Sequence, residues 1–187
     1  MRRRLRLALL LGAVLSAAPM AWAEEAAPAE AMPVRFTAPA GWRLQTDRGA
    51  AQSYRSWRFV GPCNQPGTYS AYISVRELPL HDAGGAYATL EEWAQVMTNS
   101  LADGAEIESR WSGLLGSERT EDITVLYPVP PLRLHGHGTP EEPVPVRTRT
   151  ICVQRGSRLY ELTLSADARE YAQYTAPFDE LLSSWTW

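Results

Sequence analysis

Lysine is absent from this 187-residue chain: all 18 basic residues are arginine, set against 21 acids, for a formal net charge of −3. Acids are absent from the first 23 residues, which have a different character from the rest. Met1-Arg2-Arg3-Arg4-Leu5-Arg6 forms a basic start, Leu7 to Ala18 an apolar run, and Ala21-Trp22-Ala23 a small-x-small cleavage pattern. Together they read as a signal peptide over residues 1–23, cut after Ala23, and imply a periplasmic or secreted product. The apolar run is too short for a membrane span and no stop-transfer segment follows it, so no membrane anchor is expected after cleavage. Cleavage leaves 14 arginines against 21 acids in residues 24–187, a net charge of about −7. That balance excludes a nucleic-acid binder, which needs a concentrated basic patch, and polybasic attachment to anionic lipid.

Cysteine is almost as scarce. Cys63 and Cys152 are the only two, and an even count in an exported chain predicts a disulfide between them. Closing that loop would remove denatured-state entropy worth roughly 4–5 kcal/mol. The competing role, a thiolate nucleophile or metal ligand, lacks a Cys-x-x-Cys or Cys-His pairing. Catalytic signatures are missing throughout: no Gly-x-Ser-x-Gly elbow, no Walker loop, no dinucleotide fingerprint. The acid pairs Glu91-Glu92, Glu121-Asp122 and Glu141-Glu142 are sequence neighbours, which points them apart rather than across a substrate. His81-Asp82 has no serine in a suitable context. No enzyme activity is expected.

What is present is one domain's worth of alternating and helical patterns. Residues 24–33 are Ala-, Glu- and Pro-rich without periodicity, a flexible leader. Order is expected over 34–187. Strands are predicted at Val34–Phe36, Trp42–Leu44, Tyr54–Val60, Tyr69 to near Pro79, Ile107–Trp111, Ile123–Tyr127, Leu132–His137, Val146–Gln154 and Leu159–Ala166. Thr89-Leu90-Glu91-Glu92 has capping-box spacing, and Leu90, Trp93, Met97 and Leu101 follow at helical intervals up to a stop at Gly104. Near the C-terminus a helical piece, Ala168–Tyr174, is followed by Pro177 and the stripe Phe178, Leu181, Leu182 and Trp185. Several antiparallel strands with one middle and one C-terminal helix make an α+β fold.

Three stretches carry a resemblance. Phe36-Thr37-Ala38-Pro39-Ala40-Gly41-Trp42 is similar to an opening strand and Pro-x-Gly-Trp turn, and Thr89-Leu90-Glu91-Glu92-Trp93 to the start of a middle helix. Arg158-Leu159-Tyr160-Glu161-Leu162-Thr163-Leu164, then Tyr171 and Phe178 to Trp185, is similar to a closing strand and helix. In this order they resemble the PsbP-like superfamily. The resemblance implies an α/β/α sandwich around a twisted antiparallel sheet, and non-catalytic work such as binding, assembly or stabilisation of other proteins.

Two clusters are candidate sites. Arg147 and Arg149 share a strand face with Ile151 and Val153 and could meet an acidic partner, although pairing within the chain is the simpler account. Trp57 beside Phe59, if exposed, would mark an interface; Trp42, Trp93 and Trp185 fit a core, whereas Trp111 and Trp187 are ambiguous. Separately, His135 and His137 lie at i and i+2 and could bind Zn²⁺ or Cu²⁺ with Glu141, Glu142 or His81, although Arg133 on the same face would repel a cation. The expected function is a periplasmic protein-binding domain, an assembly or stability factor or a toxin-neutralising immunity-type protein. Its partner would be another envelope or exported protein, the chain itself a monomer, and no cofactor is expected. The alternative is a periplasmic metal-binding protein using His135 and His137.

Overall fold

A computed structural model describes residues 34–45, 54–61, 69–130 and 142–187. Seven strands form one antiparallel sheet: β1 (Arg43–Gln45), β2 (Arg55–Val60), β3 (Tyr72–Pro79), β4 (Glu106–Leu115), β5 (Glu118–Val129), β6 (Val144–Arg155) and β7 (Arg158–Asp167). Their spatial order is β1-β2-β3-β7-β6-β5-β4, so the last strand in sequence lies at the centre. Two α-helices complete the fold, α1 (Leu90–Asn99) and α2 (Thr175–Ser183). Among the described residues, no helix is long and apolar enough to cross a membrane.

The register shows which helix covers which face, because paired residues in an antiparallel ladder project to the same side. Glu161 pairs with both Arg76 and Cys152, and Leu162 with both Val75 and Ile151. On the first side Leu90, Trp93 and Ala94 of α1 pack with Cys152, Leu159 and Ile123. On the second, Trp185 just past α2 meets Tyr160, with ring centroids 6.1 Å apart, and Phe178 of α2 lies under the Arg149 guanidinium. The helices therefore flank opposite faces of the antiparallel sheet, an α/β/α arrangement within the α+β class. The α2 face is the drier one: Trp57, Phe59, Ile73, Val75, Leu162, Leu164 and Ala166 are all buried there.

Local chemistry sets most boundaries. Thr89 caps α1 by accepting from Glu92 N (3.1 Å), and Glu92 returns a bond to Ala88 N (2.6 Å) rather than to Thr89. The helix stops at Asn99, short of the predicted Leu101, because Ser100 leaves the helical geometry while its N–H still bonds Val96 O. Leu101 thus drops out of the stripe. Gly156 takes φ +56° in a two-residue turn that sets the β6–β7 register, a conformation costly for other residues. Strands β4 and β5 run longer than their apolar patterns suggested, since the Gly116-Ser117 turn lets pairing continue from Leu115↔Glu118 to Glu106↔Leu126. Arg35 bridges Thr186 through two 2.8 Å backbone bonds, tying both ends of the described chain together. The expected helix at Ala168–Tyr174 is only a 3-10 turn, Tyr171–Tyr174, running into α2, where Pro177 occupies the first turn.

Cys152 is buried beneath α1, and burial pushes its thiol well above the ordinary range, with the Glu161 charge adding to the effect. That is the reverse of what a thiolate nucleophile needs. Cys63 lies outside the described residues. The disulfide expected between Cys63 and Cys152 therefore has one of its two residues outside the described part of the chain.

Candidate functional site: the open edge of the sheet

Strand β4 pairs only with β5; among the described residues nothing hydrogen-bonds along its outer side. Of its ten residues, eight are exposed and none is buried. It is nevertheless apolar at intervals: Ile107 is 41% exposed, Trp111 55% and Leu114 69%. By register Trp111 lies on the α2 face opposite Asp122, whereas Leu114 and Ile107 lie on the α1 face. The Trp111 ring lies along its own strand: a Cβ added at Gly113 would meet ring carbons 3.5 and 3.8 Å away. That is ordinary van der Waals distance, so the ring lies flat beside position 113 with its outer surface in solvent. A register shift between Ile107 and Ser109 interrupts the ladder and re-aims the start of the strand.

Charged pairs brace this edge from behind. Arg147 makes a two-pronged contact with Glu108, with 2.6 Å bonds from both Nε and Nη2. Those hydrogen bonds raise the arginine's pKa and lower the glutamate's. Arg149 grips Asp122 at 2.8–3.2 Å and reaches Asp179 of α2 at 3.7 Å. The Arg147 and Arg149 guanidinium carbons lie 5.4 and 5.9 Å from the Tyr171 and Phe178 ring centroids. Both guanidinium groups thus stand over aromatic rings while their donors are taken by carboxylates. On the other face Glu121, buried, accepts from Ser112 (2.5 Å) and faces Arg110 at 3.5 Å. Edge residues are anchored inward, leaving the backbone edge and three apolar side chains for contact.

The structure rearranges the expected sites. Trp57 and Phe59 do not form an exposed patch: they are 8% and 3% exposed, packed on the α2 face opposite Val75 and Ile73. Alternation in β2 correctly groups Arg55, Trp57 and Phe59, but α2 and the chain around Phe36 cover that side, Phe36 meeting Phe59 edge-on at 5.8 Å. Arg147 and Arg149 do share a face, and their partners come from this chain. His135, His137, Arg133 and Glu141, with the strand expected at Leu132–His137, lie outside the described residues. Among the described residues no group of three or more His, Cys, Asp or Glu side chains could hold a metal. Sequence reading missed Leu114 and left Trp111 ambiguous, and no local spacing singles either of them out.

No family model and no curated protein matches the chain. Solved structures do. PA94 from Pseudomonas aeruginosa, a protein of unknown function, has 11% identity and a TM-score of 0.50, over 74% of this chain and 91% of that one. LpqN of Mycobacterium tuberculosis, involved in cell envelope biogenesis, has 13% identity and a TM-score of 0.50, over 82% of each. Cyanobacterial PsbP from Synechocystis sp. PCC 6803 has 14% identity and a TM-score of 0.46, over 82% of this chain and 85% of that one. At these identities PA94 and LpqN show a likeness of fold alone.

Proposed function

We propose that this is an exported, non-catalytic protein that binds an extended segment of another envelope or exported protein by adding it as a strand to β4. The observation that carries the reading is a ten-residue edge strand, paired on one side only, with Trp111 and Leu114 more than half exposed. Open edges of this length invite pairing and are usually blunted by charge, proline or cover. Here the outer strand keeps a tryptophan and two aliphatic side chains in water, which are anchors suited to a bound strand. Backbone pairing would supply affinity, and alternate pockets beside Trp111 and Leu114 specificity. The Cys152 thiol, buried beneath α1 and pushed well above its ordinary range, argues against cysteine-based nucleophilic chemistry. The export signal read in residues 1–23 supports an envelope setting, the one in which LpqN is described as working.

The test uses the exported protein as bait, together with Trp111→Ala and Leu114→Lys variants. The partner should be retained by the parent and lost, by tenfold or more in Kd, from both variants while their melting temperatures are unchanged. Hydrogen exchange should show β4 amides that exchange freely alone and are protected in the complex. A partner that binds both variants as tightly as the parent, with β4 still exchanging freely, would remove the edge from the function.

A further inference from the structure

A cleft of about 580 Å³ opens on the α1 face between β3, β7 and the chain leading into α1, well away from the β4 edge. Leu78, Pro79 and Met97 give it an apolar side, and Tyr54 and Tyr87 two aromatic walls. At its back lies a salt bridge between Arg76 and Glu161, the carboxylate being 1% exposed. A volume of roughly 300–1,000 Å³ with an apolar lining and a few convergent polar groups is the usual form of a small-ligand site.

The donors and acceptors of the cleft are unequally used. Glu161 Oε1 accepts from Trp93 Nε1 at 2.5 Å, while Oε2 faces the Arg76 guanidinium as an ion pair without a hydrogen bond. A cation would meet that guanidinium in front of the carboxylate. Arg76 is different: it spends one amino group on Glu161, its carbon stands 5.9 Å from the Tyr54 ring, and its side chain is 37% exposed. A guanidinium has five N–H donors, so a donor edge remains. Tyr87 adds a phenol that stays protonated, its pKa raised by burial and by the Glu161 charge. Surplus donors beside an apolar wall call for an acceptor carried on an apolar body.

The wall is built for the purpose. Leu80 pairs with Tyr87 in a parallel bridge, His81 N donates to Tyr87 O (2.7 Å), and Gly85 N donates to Leu80 O (2.8 Å). These bonds fold residues 81–87 into a hook pressed against the end of β3. A Cβ at Gly85 would sit 1.6 Å from the Pro79 carbonyl oxygen, so only glycine lets the hook seat and bring Tyr87 opposite Arg76.

We propose that this cleft binds a carboxylate borne on a small apolar group, with the acid on Arg76 and Tyr87 and the apolar part on Leu78, Pro79 and Met97. A free organic acid and the C-terminal residue of a peptide share that chemistry. Glu161 acts as a positioning residue, holding Arg76 from behind with the help of Trp93.

The Trp93 indole N–H, bonded to Glu161, is a built-in reporter by ¹H–¹⁵N NMR. Titrating the full exported chain with N-acetyl-L-leucine should shift that signal saturably, and N-acetyl-L-leucinamide, lacking the charge, should bind at least about tenfold more weakly. Hexanoate binding as well as N-acetyl-L-leucine identifies a free acid as the ligand; a preference of about tenfold or more for the acylated amino acid identifies a chain terminus. Arg76→Gln should lower affinity about tenfold or more, and Tyr87→Phe by a smaller factor. Should Arg76→Gln fail to fold around the unpaired Glu161, Met97→Trp fills the apolar side with the salt bridge intact and should abolish the shift. No shift of Trp93 at about 10 mM of either acid, or equal binding of the amide, overturns the proposal without touching the β4 reading.

Discussion

Strands β4 and β7 are both ten residues long and belong to the same sheet, yet nine residues of β7 are buried and none of β4 is. Composition does not explain the contrast. β7 alternates Tyr160, Leu162, Leu164 and Ala166 with Glu161, Thr163, Ser165 and Asp167, which by pattern is a strand with one wet face. β4 carries Ile107, Trp111, Leu114 and Leu115, enough apolar bulk for a core. Position decides instead. β7 lies between β3 and β6, so its polar residues must find partners inside: Glu161 with Trp93 and Arg76, Thr163 with Thr150 at 3.2 Å, and Ser165 with Tyr69 and Thr148 at 2.9 and 2.8 Å. Among the described residues β4 has a neighbour on one side only, so its apolar residues stay in water. The centre pairs its polar groups inside, and the edge leaves its apolar groups unmet; stability resides in the first, and the binding proposed above would use the second.

The widest separation between the two strands should come from paired leucine truncations. Leu162→Ala removes a fully buried side chain and should cost about 3–4 kcal/mol, whereas Leu114→Ala should cost under about 0.5 kcal/mol. Denaturant unfolding of the two variants checks this, and comparable losses would mean that the edge is covered in solution. A smaller gap is expected between ion pairs. Arg149→Ala strands Asp122, whose side chain is 4% exposed, and should cost about 2 kcal/mol, below the 3–5 of fully buried pairs because Arg149 is itself 27% exposed. Arg119→Ala, which breaks a pair with Glu91 that is 70% and 53% exposed, should stay within about 0.5 kcal/mol.

A last effect is confined to alkaline pH. Burial raises the Tyr171 phenol to about 12, and its hydroxyl has no hydrogen-bond partner. A folded-state pKa above the unfolded value of about 10 gives stability that is whole below pH 10 and lost as pH rises toward 12. Circular dichroism and phenolate absorbance followed together should change in one step in that window. Phenols that all titrate near pH 10 with the fold intact would place Tyr171 in water.

Periodicity made most of the sheet and both helices legible, since local alternation reports a local geometry. Thr89, Trp93 and the Phe178–Trp185 stripe are examples, as is Gly156 at its turn. Lengths were less legible: the ends of β4 and β5 are extended by pairing with each other through residues such as Arg119 and Glu121 that carry no apolar signal. The candidate site was barely legible. Trp57 and Trp111 stand in similar strand contexts, and nothing local says that one is buried on the α2 face while the other meets solvent. Arg147 and Arg149 were placed on the right face, but Glu108 and Asp122 come from other strands and no spacing along the chain relates them.

By itself the sequence determined the class of fold, the caps and turns and the acidic charge, because each depends on neighbours within a few residues or on composition. Only the tertiary structure decided which strand closes the sheet and which is left open. It alone set Glu161 behind Arg76 and left Trp111 and Leu114 in water. Those outcomes follow from the strand order β1-β2-β3-β7-β6-β5-β4, which joins residues as far apart as Arg76 and Glu161 and which local preference cannot encode.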